Sequence, residues 1–77
     1  MGNKFLELYS ALWEPRIGDK VRIIKVLDSN KKPTSFWYYK IGDCGIVNDD
    51  ANIHYRAVEV KFHNGIYGVY FDEMTLL

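Results

Sequence analysis

Four apolar residues near the start of the chain recur every three or four positions, as they do on one side of a helix: Phe5, Leu8, Tyr9 and Leu12. Asn3 can cap the first turn, and Pro15 disfavours helical backbone at the residue before it. The pattern predicts a short amphipathic helix within residues 1–15. This helix either closes one end of the domain or presents Leu6 and Trp13, which cannot both join the same stripe, to a partner.

Beyond this helix the apolar positions recur every second residue, which is the period of a half-buried strand. Val21 and Ile23 are predicted to face inward, and the charged residues beside them to face solvent. The alternation slips at Ile24, which continues the apolar side together with Val26, and this slip predicts a β-bulge. The segment SNKKPTSF at residues 29–36 contains serine, asparagine and proline, which are frequent in loops, and it is predicted to form a loop.

A short motif, a basic residue followed by Ile-Gly-Asp, occurs twice, in RIGDKVRII at residues 16–24 and in KIGDCGIV at residues 40–47. The rest of the two halves does not match, which argues against a structural repeat. In each copy the glycine allows a tight bend, the aspartate can bond nearby backbone, and apolar residues follow. Both copies are therefore predicted to be turns that lead into a strand.

Two strand patterns in the second half are joined by a hairpin signal. YRAVEVKF at residues 55–62 alternates between apolar and polar side chains, and IYGVYF at residues 66–71 is predicted to be the return strand. Asn64 and Gly65 lie between them, and both accept the positive φ that a type I′ turn requires. The sequence therefore predicts a tight β-hairpin.

Residues 37–49, WYYKIGDCGIVND, are predicted to form an extended approach, a glycine-rich turn and a short strand. Residues 72–77, DEMTLL, are predicted to form a single turn followed by a short terminal strand. Five short antiparallel strands in so short a chain bury a common apolar face best by curling into a small barrel. The sequence therefore predicts a mainly β fold.

Residues 16–77 resemble the SH3-like small barrels of bacterial and plastid proteins, whose shared wording is G-D-x-V-x-I, then G-x-x-G-x-V, then a hairpin followed by an aromatic residue and a closing acidic-x-x-x-Leu. The residues that fit this wording are Gly18, Asp19, Val21, Ile23, Gly42, Gly45, Val47, Val58, Val60, Phe62, Gly65, Phe71, Glu73 and Leu77. The resemblance implies a five-stranded SH3-like small barrel at residues 16–77, after the short N-terminal α-helix.

Branches of this group differ in function. The turn glycines of GDKVRII and GDCGIV resemble the KOW-type barrels of ribosomal and transcription proteins, which implies nucleic-acid binding. The stretch from KVRII to GDCGIV and the closing YFDEMTLL are similar to photosynthetic accessory barrels, namely the ferredoxin-docking subunit of photosystem I and the variable chain of ferredoxin:thioredoxin reductase. This second likeness implies docking on a protein. The sequence lacks the Ala-Leu-Tyr-Asp-Tyr stretch and paired tryptophan of eukaryotic peptide-binding SH3 domains, so that mode of proline-rich recognition is not expected.

The chain of 77 residues allows one domain and has a formal net charge of zero. Residues 1–40 hold eight Lys and Arg against four acids, and residues 41–77 hold two against six, which gives +4 and −4. A split along the sequence is not a split on the surface, so bulk charge supports polyanion binding only weakly. The single cysteine, Cys44, favours a cytoplasmic location, and no apolar run predicts secretion or membrane contact.

No residue pattern predicts catalysis, a cofactor or a metal ion. His54, His63 and Cys44 are the soft metal ligands, and no two of them stand at a spacing that zinc sites use. Cys44 also lacks an activating base or cation beside it in the sequence. We therefore expect a protein that is not an enzyme and carries no cofactor.

The aromatic run FWYY at residues 36–39 is the strongest candidate for a functional surface. Alternate residues of an extended chain face opposite ways, so one pair of rings is expected inside and the other at least partly exposed. With the nearby lysines, the predicted binding surface consists of Lys31, Lys32, Trp37, Tyr38, Tyr39 and Lys40. The alternative is that Trp37 merely covers the open end of the barrel.

Two functions remain open on the sequence. The preferred one is a non-catalytic protein-binding accessory or adaptor module, in which Trp37 or Tyr38 anchors an acidic protein partner and the lysines steer it. The alternative is a KOW-like module that binds RNA or other nucleic acid, with phosphates contacted by Lys20, Arg22, Lys25, Lys31 and Lys32.

Overall fold

The computed structural model describes residues 14–77, which contain five strands and two short 3-10 helices. The strands are β1 (Lys20–Ile23), β2 (Cys44–Asp49), β3 (Ala57–Phe62), β4 (Gly65–Tyr70) and β5 (Met74–Leu76). The 3-10 helices are Ile53–Tyr55, before β3, and Phe71–Glu73, before β5. The mainly β prediction is confirmed, whereas the predicted N-terminal helix falls on residues outside those described.

All five strands pair antiparallel in one sheet, in the order β4-β3-β2-β1-β5. Within residues 14–77 no ladder joins β4 to β5, so the sheet is open and its two ends are edge strands. A hydrophobic core covers one face because apolar residues alternate along the strands as predicted. Its members are Val21, Ile23, Val26, Tyr39, Val47, Val58, Val60, Phe62, Val69, Phe71 and Met74.

The two Ile-Gly-Asp turns have the same geometry. Gly18 and Gly42 adopt φ of 95° and 96°, a left-handed conformation that favours glycine. In each turn the aspartate carboxylate accepts the N–H of the residue three positions earlier at 2.9 Å, which is Arg16 in the first turn and Lys40 in the second. The first leads into β1 and the second into β2, so the prediction of two strand-entry turns is confirmed.

The predicted continuation of the apolar side at Ile24 is wrong. The β1 strand ends at Ile23, and Ile24 is exposed while Val26 is buried. The N–H groups of Ile24 and Lys25 both donate to the Glu73 carbonyl oxygen, at 2.8 and 3.2 Å, so two residues oppose one, as at a β-bulge. A further register shift lies in β2, between Val47 and Asp49.

The predicted hairpin is confirmed, but its turn type is wrong. The strands β3 and β4 pair from Ala57↔Tyr70 to Phe62↔Gly65, which leaves His63 and Asn64 as the connection. Among the described residues other than glycine, only Lys31 and Arg56 have positive φ, so Asn64 does not adopt the type I′ conformation. Gly65 alone provides the positive φ, at 145°.

Candidate functional site

The connection between β1 and β2, residues 24–43, is called the long loop here. Its tip folds back on itself: Leu27 and Pro33 form an isolated antiparallel bridge. At the tip, one carboxylate oxygen of Asp28 accepts the N–H groups of Asn30 and Lys32, at 2.8 and 3.0 Å. The segment predicted to be a loop therefore lacks regular strands but has an ordered turn.

The four aromatic rings at residues 36–39 alternate as predicted. Phe36 and Tyr38 are exposed, with 88% and 62% of their surface accessible. Trp37 is half-buried against the core, and Tyr39 is only 2% accessible. One pair of rings therefore faces inward and the other faces solvent.

Tyr39 is buried, so it is not one of the exposed rings, and the prediction that it belongs to the same surface as Trp37 and Tyr38 is corrected. Its ring stacks on Phe62 with the centroids 5.3 Å apart, which places it in the core. Its hydroxyl donates to the carboxylate of Glu73, whose oxygens lie 2.8 and 2.9 Å away. Tyr39 therefore attaches the long loop to the sheet.

Glu73 is a buried carboxylate that sequence reasoning did not identify as structurally important. It is 1% accessible. Besides the Tyr39 hydroxyl, its carboxylate accepts the N–H of Leu27 at 2.8 Å and the N–H of Tyr70 at 2.9 Å. Burying a carboxylate is costly unless hydrogen bonds satisfy it, and three donors do so here. Glu73 fits the closing acidic-x-x-x-Leu pattern, but that pattern does not indicate that the carboxylate is buried.

The Tyr39–Glu73 contact also changes the acidity of the tyrosine. Burial raises the pKa of the Tyr39 hydroxyl far above its ordinary value of 10.0, because the phenolate would lose its hydration. The hydrogen bond to Glu73 and the negative charge of that carboxylate raise it further. Tyr39 therefore stays a neutral donor in the folded protein.

The aromatic surface is defined as four rings: exposed Phe36 and Tyr38, and partly buried Trp37 and Tyr67. Tyr38 stacks on Tyr67 of β4 with the centroids 5.1 Å apart and meets Trp37 edge-on at 5.2 Å. The Asn64 side-chain amide donates to the Tyr38 carbonyl oxygen at 3.2 Å and so attaches this part of the loop to the hairpin. A shallow cleft of about 550 Å³ beside these rings is lined by Ser35, Phe36, Trp37, Tyr38 and Lys40. The sequence did not predict that Tyr67 belongs to this surface, because residues 66–71 were interpreted only as the return strand of the hairpin.

The lysines of the predicted surface are placed in two groups. Lys40 lines the cleft beside Phe36. Lys31 lies at the loop tip, where its Nζ is 4.9 Å from the centre of the Tyr70 ring, and its neighbour Lys32 is exposed. Trp37 lines the first cleft and shares a second one with Tyr70. Lys40 therefore lies beside the aromatic surface, whereas Lys31 and Lys32 lie at the tip of the long loop.

Among residues 14–77, no three His, Cys, Asp or Glu side chains are grouped to hold a metal ion. No helix within these residues is long and apolar enough to cross a membrane. Lys20 and Arg22, proposed above as phosphate contacts, are exposed on β1.

No protein-family model matches the chain, and neither the curated proteins nor the solved structures contain a significant match to it.

Proposed function

We propose that this protein is a non-catalytic accessory or adaptor module that binds another protein through the aromatic surface of the long loop. The observation that carries the proposal is the exposure of Phe36 and Tyr38 beside half-buried Trp37. Large exposed rings held by hydrogen bonds bury much area at low entropic cost when a partner covers them. Lys40 lies beside these rings, and Lys31 and Lys32 add positive charge at the loop tip, so the lysines favour an acidic partner.

The proposed fold is an SH3-like small barrel. Its support is the strand order, in which β1 pairs with both β2 and β5, and the 3-10 helix Phe71–Glu73 before the last strand. The long loop adds further support because it covers the core with Tyr39. A cytoplasmic location is proposed from the single cysteine, Cys44, which is exposed and unpaired.

The first experiment is affinity capture from a lysate of the source cells, using the protein and its Phe36→Ala variant. Phe36 is 88% exposed, so its removal should leave stability unchanged while partner affinity falls about tenfold or more. Tyr55→Ala is the matched control, because Tyr55 is also an exposed aromatic residue but lies on a 3-10 helix away from the long loop. Equal capture of one discrete protein by all three forms would refute the assignment of this surface.

A second candidate, KOW-like nucleic-acid binding, has one observation in its favour. Lys20 on β1 is in register with Ile46 on β2, and Ile46 with Lys61 on β3, so two cations flank an isoleucine on one exposed row of the sheet. Such binding would weaken steeply as salt increases. Captured material that disappears after nuclease treatment and elutes at modest salt would favour this candidate over protein binding.

A further inference from the structure

A second cleft, of about 230 Å³, lies between the tip of the long loop and the edge strand β4. Three aromatic side chains and several aliphatic ones line it: Leu27, Asp28, Ser29, Trp37, Tyr39, Ala57, Gly68, Val69 and Tyr70. Small-molecule sites usually begin at roughly 300 Å³. This cleft is therefore sized for one side chain of a partner rather than for a whole ligand.

The open edge of β4 forms one wall of the cleft. The Gly68 carbonyl oxygen accepts the Tyr39 hydroxyl at 3.3 Å, and the Tyr70 N–H donates to Glu73 at 2.9 Å, so both residues turn their backbone groups away from β3. Because N–H and C=O of one strand residue point to the same side, the Gly68 N–H also faces this edge. No residue among 14–77 accepts it. It is a donor suited to the carbonyl group of an extended peptide.

The charge at the rim of the cleft is net positive. Lys31 lies over the Tyr70 ring, and exposed Lys32 follows it. Asp28 contributes one negative charge, but one of its carboxylate oxygens is already hydrogen-bonded to the N–H groups of Asn30 and Lys32. Glu73 adds a second negative charge, but it is buried beneath the cleft and hydrogen-bonded to Leu27, Tyr39 and Tyr70. The exposed lysines at the rim therefore favour an acidic group on the ligand.

We propose that this cleft receives a phenylalanine- or leucine-sized side chain from an extended, acidic segment of the partner protein. The segment's backbone carbonyl accepts the Gly68 N–H, and a neighbouring carboxylate faces Lys31 and Lys32. This inference rests on the proposed function and names the chemistry that the partner must carry. A peptide fits better than a nucleic acid for two reasons. The Gly68 N–H, which no residue among 14–77 accepts, belongs to a strand edge, and the chain has no net positive charge.

The test is an NMR titration of the full chain with three small probes and a nucleotide. Acetyl-Phe-Asp-amide should shift the amide signals of residues 27–29 and 68–70 and the indole signal of Trp37. Acetyl-Phe-Lys-amide should bind about threefold more weakly, because exposed ion pairs contribute modestly. Acetyl-Gly-Asp-amide, which lacks the ring, should produce no shifts at these residues. Stronger binding of uridine 5′-monophosphate than of acetyl-Phe-Asp-amide would overturn the choice of a peptide.

Gly68→Leu is the variant that places a branched side chain at the edge of β4, beside the Gly68 N–H. A side chain is tolerated at this position, since the Gly68 φ is not in the left-handed region and an added Cβ meets nothing within 4 Å. We expect Gly68→Leu to abolish the shifts caused by acetyl-Phe-Asp-amide, whereas Thr75→Leu, on exposed β5, should leave them unchanged. A second variant, Lys31→Glu with Lys32→Glu, should reverse the preference between the Asp and Lys probes. An unchanged preference would contradict the assigned role of the two lysines.

The failure of this inference can be told apart from failure of the proposed function. If the dipeptides do not bind the cleft but capture of a protein still depends on Phe36, the adaptor function stands and the cleft assignment is wrong. If the dipeptides bind as expected and no captured protein depends on Phe36, the aromatic surface is not the docking site. Binding of acetyl-Gly-Asp-amide as tight as that of acetyl-Phe-Asp-amide would also refute a side-chain pocket.

Discussion

Tyr39 and Glu73 meet where the long loop crosses the sheet, and their contact decides how the exposed rings are held. The Tyr39 hydroxyl donates to the Glu73 carboxylate at 2.8 Å, and the Leu27 N–H donates to the same carboxylate from the other part of the loop. One buried residue thus attaches two distant points of the loop. The exposure of Tyr38 follows directly, because its neighbour in the chain is fixed inside.

At the residue scale, Tyr39→Phe should lower the free energy of unfolding by about 2 kcal/mol at pH 7, since a hydrogen bond to a charged group is lost. The loss should depend on pH. The unfolded tyrosine ionises near pH 10.0, whereas the folded one keeps its proton because burial raises its pKa. The hydroxyl's contribution is therefore complete below pH 10 and declines as the pH rises above it.

Denaturant unfolding of the wild type and of Tyr39→Phe, measured from pH 7 to pH 11, checks this prediction. The stability difference between the two proteins should be constant up to about pH 9 and should then narrow. Tyr55→Phe, at an exposed position, controls for loss of a hydroxyl. A difference that stays constant up to pH 11 would contradict the buried hydrogen bond.

The elements of the fold are set mainly by turns and alternation. The two strand-entry turns need glycine because Gly18 and Gly42 adopt left-handed φ. The long loop is longer than most connections in a compact domain, and loops of that length usually carry function. Its ordered tip and its attachment to Glu73 allow it to present side chains in a fixed arrangement.

At the element scale, alanine substitutions at two glycines should have different effects. Gly42→Ala should destabilise the protein by about 1–2 kcal/mol, because alanine is strained at a φ of 96°. Gly68→Ala should be neutral or slightly stabilising, since its φ is ordinary and the space beside it is open. Thermal unfolding of the two variants and of the wild type measures this difference in stability. Equal destabilisation by the two substitutions would show that the turn conformation is not what requires Gly42.

Residues 14–77 form one open sheet covered by a loop, so stability is not uniform across this part of the molecule. The buried valines of β1, β2 and β3 pack together in the core. The long loop, by contrast, is joined to the sheet through Tyr39, Glu73 and the bonds from Ile24 and Lys25. Regions with few buried contacts open at lower free energy than the core.

At the scale of the whole molecule, Glu73→Gln should release the loop before the sheet unfolds. Three donors surround the Glu73 carboxylate, whereas the glutamine amide offers them one acceptor oxygen and brings a donor group of its own. The substitution should therefore lower the free energy of unfolding by about 2–4 kcal/mol. Hydrogen exchange should show faster opening at Ile24 and Leu27 than at Val21 and Val58. An equal increase at all four amides would indicate that loop and sheet open as one unit.

The sequence by itself determined the local features. Alternation located the strands, the two Ile-Gly-Asp turns were recognisable from glycine and aspartate, and the period of two divided FWYY into an inner and an outer pair. These features depend on residues close together in the chain, where backbone geometry leaves few choices. The position of the hairpin followed in the same way, although the type of its turn did not.

Only the tertiary structure decided which distant residues meet. It placed Tyr39 inside and Phe36 outside, joined Tyr67 to Tyr38, and buried Glu73 beneath three hydrogen-bond donors. Alternation predicts that neighbouring rings face opposite ways. Which of the rings is buried depends on the part of the sheet that the loop crosses. That choice is made by hydrogen bonds and packing between residues more than thirty positions apart, such as Tyr39 and Glu73, and local pattern carries no information about them.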